Sequence, residues 1–124
     1  RKWMKSCLHK WSGEHKFGKA EEAYLKSFKQ KKRIHASCED YRASDSIDLE
    51  HDKKDKSKKL NIPIQVLWGK SGVVGKQFNS IKIWQKYSNK KIIGKAIDSG
   101  HFIPEQNPQQ VIYQLKNFFL NQES

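Results

Sequence analysis

From Leu60 onward the chain alternates between two hydrophobic periods, and this limits its architecture more than any other feature. Ile62-Pro63-Ile64-Gln65-Val66-Leu67-Trp68-Gly69 is an apolar, β-prone run that opens beside a proline, and it predicts a buried strand. Asn79 then heads a segment in which Ile81, Trp84 and either Tyr87 or Ser88 recur at helical spacing, closed by Asn89-Lys90-Lys91. Ile92 to Ile97 is a second short strand, interrupted by Gly94. Asn107-Pro108 is a strong helix start, with Gln110 placed to complete a capping box and Val111, Ile112, Leu115, Phe118 and Phe119 forming one stripe. Strand, helix, strand, helix implies an α/β class with parallel strands joined by a right-handed crossover. A parallel sheet is covered on both faces and needs neighbouring strands. Further strands are therefore expected from a partner chain or from a preceding part of the same protein. The opening Arg1-Lys2-Trp3-Met4, which reads as the middle of a longer sequence, agrees with that expectation.

The first third reads as helical. Trp3, Met4, Cys7, Leu8 and Trp11 share one face before Gly13 to Gly18 break the pattern. A second helix is expected from about Lys19 to Arg33, with Ala20, Ala23, Tyr24, Ser27 and Phe28 inward. A third fits Ile34 to Ala43, where Ile34, Cys38 and Tyr41 share a face. On this reading Tyr41 and Trp11 are core aromatics, each able to offer a donor (O–H or indole N–H) at its edge. Ser44 to Lys59 is polar, with room for a short helix carrying Ile47 and Leu49 and a solvent-facing charge run from Lys53 to Lys59.

Charge and cysteine usage narrow the function classes. The formal net charge of +12 over 124 residues invites an anionic partner. Most of the excess is lysine, however, and Asp52 and Asp55 sit beside or within the main run, so a solvated surface is expected rather than a nucleic-acid interface. Cys7 and Cys38 are too few and too far apart for a disulfide framework, which points to a reducing, cytoplasmic setting. No CxxC or ligand-like histidine spacing calls for a metal, and no cofactor is expected. No apolar run is long enough to span a membrane.

Two stretches invite a chemical reading. Gly69-Lys70-Ser71-Gly72-Val73-Val74-Gly75-Lys76 follows a strand as a phosphate loop would, but its register does not fit GxxxxGK[ST], and Gln77 stands where a hydroxyl is needed. It reads instead as a glycine-permitted loop at the carboxyl end of the strand, where open sheets place ligands. Ile97-Asp98-Ser99-Gly100-His101-Phe102-Ile103-Pro104 places a histidine between strand and helix, a location suited to a general base. Asp98 is too close along the chain to orient it and reads as a loop-fixing residue. His51 reads as a surface residue, and His9, His15 and His35 show no usable arrangement.

Four blocks taken together resemble a known family. Cys38-Glu39-Asp40-Tyr41-Arg42-Ala43, Ile47-Asp48-Leu49-Glu50-His51-Asp52, Val66-Leu67-Trp68-Gly69 with Gly72-Val73-Val74, and Ser99-Gly100-His101-Phe102-Ile103-Pro104-Glu105 resemble, in order and spacing, the C-terminal half of haloacetate (fluoroacetate) dehalogenases. The resemblance implies the C-terminal portion of an α/β-hydrolase fold: the last parallel strands and helices over residues 60–124, preceded over residues 1–59 by helices of the cap. In that family an aspartate displaces halide to give an ester, and a histidine activates the water that hydrolyses it. His101 matches that histidine, Tyr41 matches a halide-binding tyrosine of the cap, and Trp11 resembles a tryptophan lining the pocket. The nucleophile, its orienting aspartate, the carboxylate-binding arginines and a His-Trp pair have no matching segment here. The resemblance therefore implies a haloacid substrate only when an N-terminal half complements the chain, which by itself is expected to be inert. Other expectations are a different α/β-hydrolase activity (epoxide or ester hydrolysis), a basic binding module, or a homo-oligomer or strand-exchanged dimer formed through exposed strand edges.

Overall fold

The computed structural model describes residues 2–13, 17 and 19–121. It is a partial α/β fold: four helices, then a small parallel sheet with helices between and after its strands. Helix α1 spans Lys2–Ser12, α2 Ala20–Ser27, α3 Lys31–Ser44 and α4 Ile47–Asp55. Strand β1 spans Gln65–Gly69, followed by α5 (Val73–Gln77), α6 (Ser80–Gln85), β2 (Ile93–Ile97), α7 (Ile103–Gln106) and α8 (Pro108–Leu120). As expected, β1 and β2 pair in parallel, running from Gln65 opposite Ile93 to Gly69 opposite Ile97. No described helix is long and apolar enough to cross a membrane.

The caps behave as the sequence implied, with one exception. The Asn79 side chain accepts from the Lys82 N–H at 3.0 Å, and the Asn107 side chain accepts from the Gln110 N–H at 3.3 Å. The exception is the return half of the capping box. Gln110 Oε1 accepts from the Asp98 N–H at 2.9 Å instead, so the side chain ties α8 to the end of β2.

Several helical expectations are corrected. The helix predicted over Lys19–Arg33 ends at Ser27, and the next begins at Lys31 rather than Ile34. Short-range main-chain bonds from Lys29 to Lys26 and from Gln30 to Ser27 close the chain into a turn, and Gln30 is extended. The inward face of α2 is centred on Leu25, which packs with Leu8 and Phe17; Ala23 is exposed. Full burial of such a side chain contributes about 1.5–3 kcal/mol, so this trio holds the first two helices together. Residues 14–16 and 18, His15 among them, lie outside the described residues, although Gly13 just before them has φ 63° and accounts for the break.

The core reading of Tyr41 is also corrected. Among the described residues, none in α3 or α4 is buried, and Tyr41 is 68% exposed because no described element covers that face. Trp11 is likewise 40% exposed rather than core. The strand expected from Ile62 starts at Gln65, and it is half-buried rather than buried up to Trp68. The same effect marks the second half of the chain. On α8 Val111 is buried, whereas Ile112, Leu115 and Phe119 are exposed, and Ile93 of β2 is exposed too. The periodicity correctly names the apolar faces, but two strands cannot cover them. Finally, the loop after β1 contains α5, a short helix not anticipated from the glycines around it.

Candidate functional site

The two loops at the carboxyl ends of β1 and β2 are fixed to each other by main-chain bonds. Lys70 N–H donates to Ile97 C=O at 2.8 Å and Ser71 N–H to Ser99 C=O at 3.0 Å, which extends the parallel pairing past the last strand residues. Ile97 and Ser99 are fully buried. Gly100 lies between Gly69 on one side and the main chain of Trp11 and Ser12 on the other, and a β-carbon at either glycine would clash with backbone atoms. Only glycine permits this approach. The C-terminal end of α1 is thereby pressed against the loop that carries His101.

Three hydrogen bonds complete that junction. His101 N–H donates to Trp11 C=O at 2.9 Å, Gln106 Nε2 to Ser12 C=O at 3.0 Å, and Tyr24 O–H to Glu105 Oε1 at 2.5 Å. Acceptance of that bond by the Glu105 carboxylate, with some burial, raises the Tyr24 pKa above its ordinary value. Phe102 fills the seam, meeting Phe17 edge-on with centroids 4.6 Å apart and stacking on Trp11 at 6.4 Å. The first helices are therefore docked on the histidine loop by both polar and aromatic contacts.

The imidazole of His101 is exposed, with Trp11 5.5 Å and Phe102 5.1 Å away, both in edge geometry. Among the described residues no carboxylate hydrogen-bonds it. Asp98 is held through its main chain, its N–H to Gln110 and its C=O from Asn107 Nδ2 at 3.2 Å, in keeping with a loop-fixing part.

His101, Trp11 and Tyr41, three residues singled out in the sequence, line one open groove of about 570 Å³. Tyr41 comes from α3, Trp11 from α1 and His101 from the loop after β2. The groove also includes Lys10, Ser71, Lys76 and Gln77, with Val73 and Val74 as apolar wall. Ser71, Val73, Val74 and Lys76 belong to the loop that the sequence marked as a ligand-facing strand end, whereas Lys10 and Gln77 were not singled out. Lys10 adjoins Trp11, but Lys76 and Gln77 reach the groove only because α5 turns the chain back. His101 also borders a smaller cavity of about 230 Å³ along β1, with Trp68, Ser80 and Trp84. Ser80 Oγ is buried there without a hydrogen-bond partner. Among the described residues no group of three His, Cys, Asp or Glu gathers as a metal site.

Outside the groove, His9 has a partner that the sequence did not suggest. Its Nε2 lies 2.8 Å from Glu21 Oε2, with Lys5 Nζ 3.7 Å from the other oxygen. The hydrogen bond from His9 is the main cause lowering the Glu21 pKa; desolvation, next in size, opposes it, and the nearby charges of His9 and Lys5 add to the lowering. His35 sits 3.6 Å from Glu39 on the open face of α3.

No family model matches the chain. It is 28% identical over 126 aligned residues to a fluoroacetate dehalogenase from a Burkholderia species, covering 98% of this chain and 41% of that protein. A crystal structure from Salmonella enterica, of a protein described as an acyltransferase, superposes with a TM-score of 0.89 at 30% identity, covering 96% of this chain and 40% of that one. A crystal structure from Nostoc sp PCC 7120, of a protein described as an α/β hydrolase, superposes with a TM-score of 0.88 at 35% identity, covering 95% and 41%. The chain thus spans about two fifths of the length of each of these relatives.

Proposed function

We propose, for a chain related to the α/β-hydrolase superfamily over part of longer homologous proteins, that it is the C-terminal portion of a hydrolase of the haloacetate dehalogenase kind. Residues 1–59 then correspond to the last part of the cap and residues 60–124 to the last part of the core. The reading is supported above all by the meeting of His101, Trp11 and Tyr41 in one groove at the carboxyl ends of two parallel strands.

The chemistry follows from those side chains. In hydrolytic dehalogenation a carboxylate attacks the carbon bearing halogen, the carbon–halogen bond breaks toward the halide, and an ester forms. Water then adds to the ester carbonyl while a base takes its proton; the acyl–oxygen bond breaks, releasing a hydroxy acid and restoring the carboxylate. His101 is that base. The Tyr41 O–H and the Trp11 indole N–H are the donors available to a departing halide, and such donors act best in a pocket closed to water. Among the described residues lining the groove, none is Asp, Glu or Cys. The nucleophile, the acid that orients His101 and the arginines for the substrate carboxylate belong, on this reading, to a preceding segment.

A different hydrolytic or acyl-transfer reaction on the same base is the second reading. It is favoured by the Nostoc hydrolase and the Salmonella protein described as an acyltransferase, which share 35% and 30% identity with this chain against 28% for the dehalogenase. The two readings separate when the chain is co-expressed with the N-terminal three fifths of the Burkholderia enzyme. Co-eluting complexes are then offered chloroacetate, fluoroacetate, a nitrophenyl ester and an epoxide. Halide release that depends on His101 supports the dehalogenase reading. Ester or epoxide hydrolysis without halide release supports the second.

A further inference from the structure

We infer that Gln106 is a positioning residue: its side-chain amide clamps the histidine loop to the end of α1 and so sets where the His101 imidazole stands. The inference rests on the hydrolase reading for the part His101 plays as a base. The clamp itself is a matter of hydrogen bonding, and three observations carry it.

The first is that one amide joins two elements. Gln106 Nε2 donates to Ser12 C=O at 3.0 Å, and Gln106 Oε1 accepts from the Phe102 N–H at 3.2 Å. The main-chain N–H of Gln106 also donates to Phe102 C=O at 3.0 Å. Phe102 is therefore held at both of its main-chain polar groups by a single residue at the far end of α7. Adjacent loop residues reach adjacent carbonyls of α1: His101 meets Trp11 directly, and Phe102 meets Ser12 through the Gln106 amide.

The second is that both bridged groups need a partner. Ser12 is buried and ends α1, where helix carbonyls have no partner inside the helix. Phe102 is half-buried and stands at the N-cap of α7 with a side chain that cannot cap. Leaving either group unpaired away from water is costly.

The third is the chemistry of the side chain. A neutral primary amide offers a donor and an acceptor on one carbon. Its two partners fix its orientation, since a flipped amide would set N–H against N–H and oxygen against C=O. A carboxylate would still accept from Phe102 but would repel the Ser12 carbonyl. Gln106 is not among the residues that line the groove, so it acts on the imidazole through the loop. Misplacing a catalytic group by about 1 Å can slow a reaction by about a hundredfold.

Two substitutions test the clamp. Gln106→Met keeps the length of the side chain and removes both of its bonds. Gln106→Glu keeps the acceptor and regains a donor when protonated. In the isotope-labelled chain the readouts are amide exchange at His101 and Phe102 and the shifts of the His101 ring protons, which sense the Trp11 ring 5.5 Å away. Gln106→Met is expected to lower Phe102 protection by about fivefold or more, the scale of one net hydrogen bond. It should also move the His101 ring signals, while the bonded amides of Lys70 and Val111 stay as in the parent. Gln106→Glu should match Gln106→Met at neutral pH and return toward the parent as pH falls below the ordinary glutamate value of about 4.3, each point being compared with the parent at the same pH. In the complex with the N-terminal part of the Burkholderia dehalogenase, Gln106→Met should lower kcat by about tenfold with KM within about twofold. Parent-like exchange and ring signals in Gln106→Met, protection lost evenly over the fold, no recovery of Gln106→Glu in acid, or an unchanged kcat in a complex that turns over would overturn the inference. A parent complex without turnover would instead remove the hydrolase reading, and the exchange and shift measurements then decide the clamp by themselves.

Discussion

The main-chain N–H of His101 donates to the carbonyl of Trp11 at 2.9 Å, so two groove residues ninety positions apart are joined through backbone rather than through their side chains. A backbone bond does not depend on rotamers. It fixes the histidine loop against α1 while leaving the imidazole and the indole free to face a ligand.

That bond depends on the space at Gly100. A β-carbon there would meet the main chain of Trp11 and Ser12, and overpacking of this kind costs about 1–3 kcal/mol. Gly100→Ala should therefore lower the urea midpoint clearly and weaken protection of the His101 amide in hydrogen exchange. A midpoint shift worth less than about 0.5 kcal/mol, the ordinary range for surface substitutions, would show that the loop has room the structure does not give it.

The two asparagine caps should differ in weight. Asn79→Ala removes one cap bond, at a cost of about 1 kcal/mol. Asn107→Ala removes a cap bond and also the donation from Nδ2 to the Asp98 carbonyl. It should cost more than Asn79→Ala in the same denaturation series and should disturb amide shifts at Asp98. The reverse order would mean that the end of β2 does not lean on α8.

Tyr24 and Glu105 give a pH dependence whose sign follows from the raised tyrosine pKa. The fold holds the phenolic proton more tightly than the unfolded chain does. The contribution is complete below the unfolded tyrosine value of about 10 and is lost as pH rises through the higher folded value. Tyr24 is 39% exposed, so the bond contributes about 1 kcal/mol or less. Tyr24→Phe should be slightly less stable than the parent near neutrality and should converge with it in strongly alkaline buffer. A constant gap across that range would place the effect in packing, not in the hydrogen bond.

The pattern of success and failure in the sequence has a physical basis. Asn79 and Asn107-Pro108 were legible because a cap is local chemistry, decided within four residues. The parallel pairing of β1 and β2 was legible because a helix between two strands leaves few alternatives. The break at Phe28–Gln30 was not, since neither glycine nor proline marks it. Nor was the exposure of Tyr41, Ile112 or Phe119: a periodic stripe names the face that needs cover, but not whether the cover lies in the same chain. For the groove, His101, Trp11 and Tyr41 were singled out in advance. The loop holding Ser71 and Lys76 was legible as a ligand-facing strand end, but Lys10 and Gln77 join the groove only through the docking of α1 and the turn of α5, which no spacing encodes.

The central proposal is that His101 serves the second chemical step, and one measurement addresses it directly. The chain carrying His101→Asn is complemented with the N-terminal part of the Burkholderia dehalogenase, mixed with chloroacetate, and followed for chloride release and intact protein mass. The account predicts a single burst of about one chloride per complex, then arrest, with the mass of the acid retained as an ester on the complementing fragment. Sustained chloride release at the rate of the unsubstituted complex, with no ester accumulating, would contradict it.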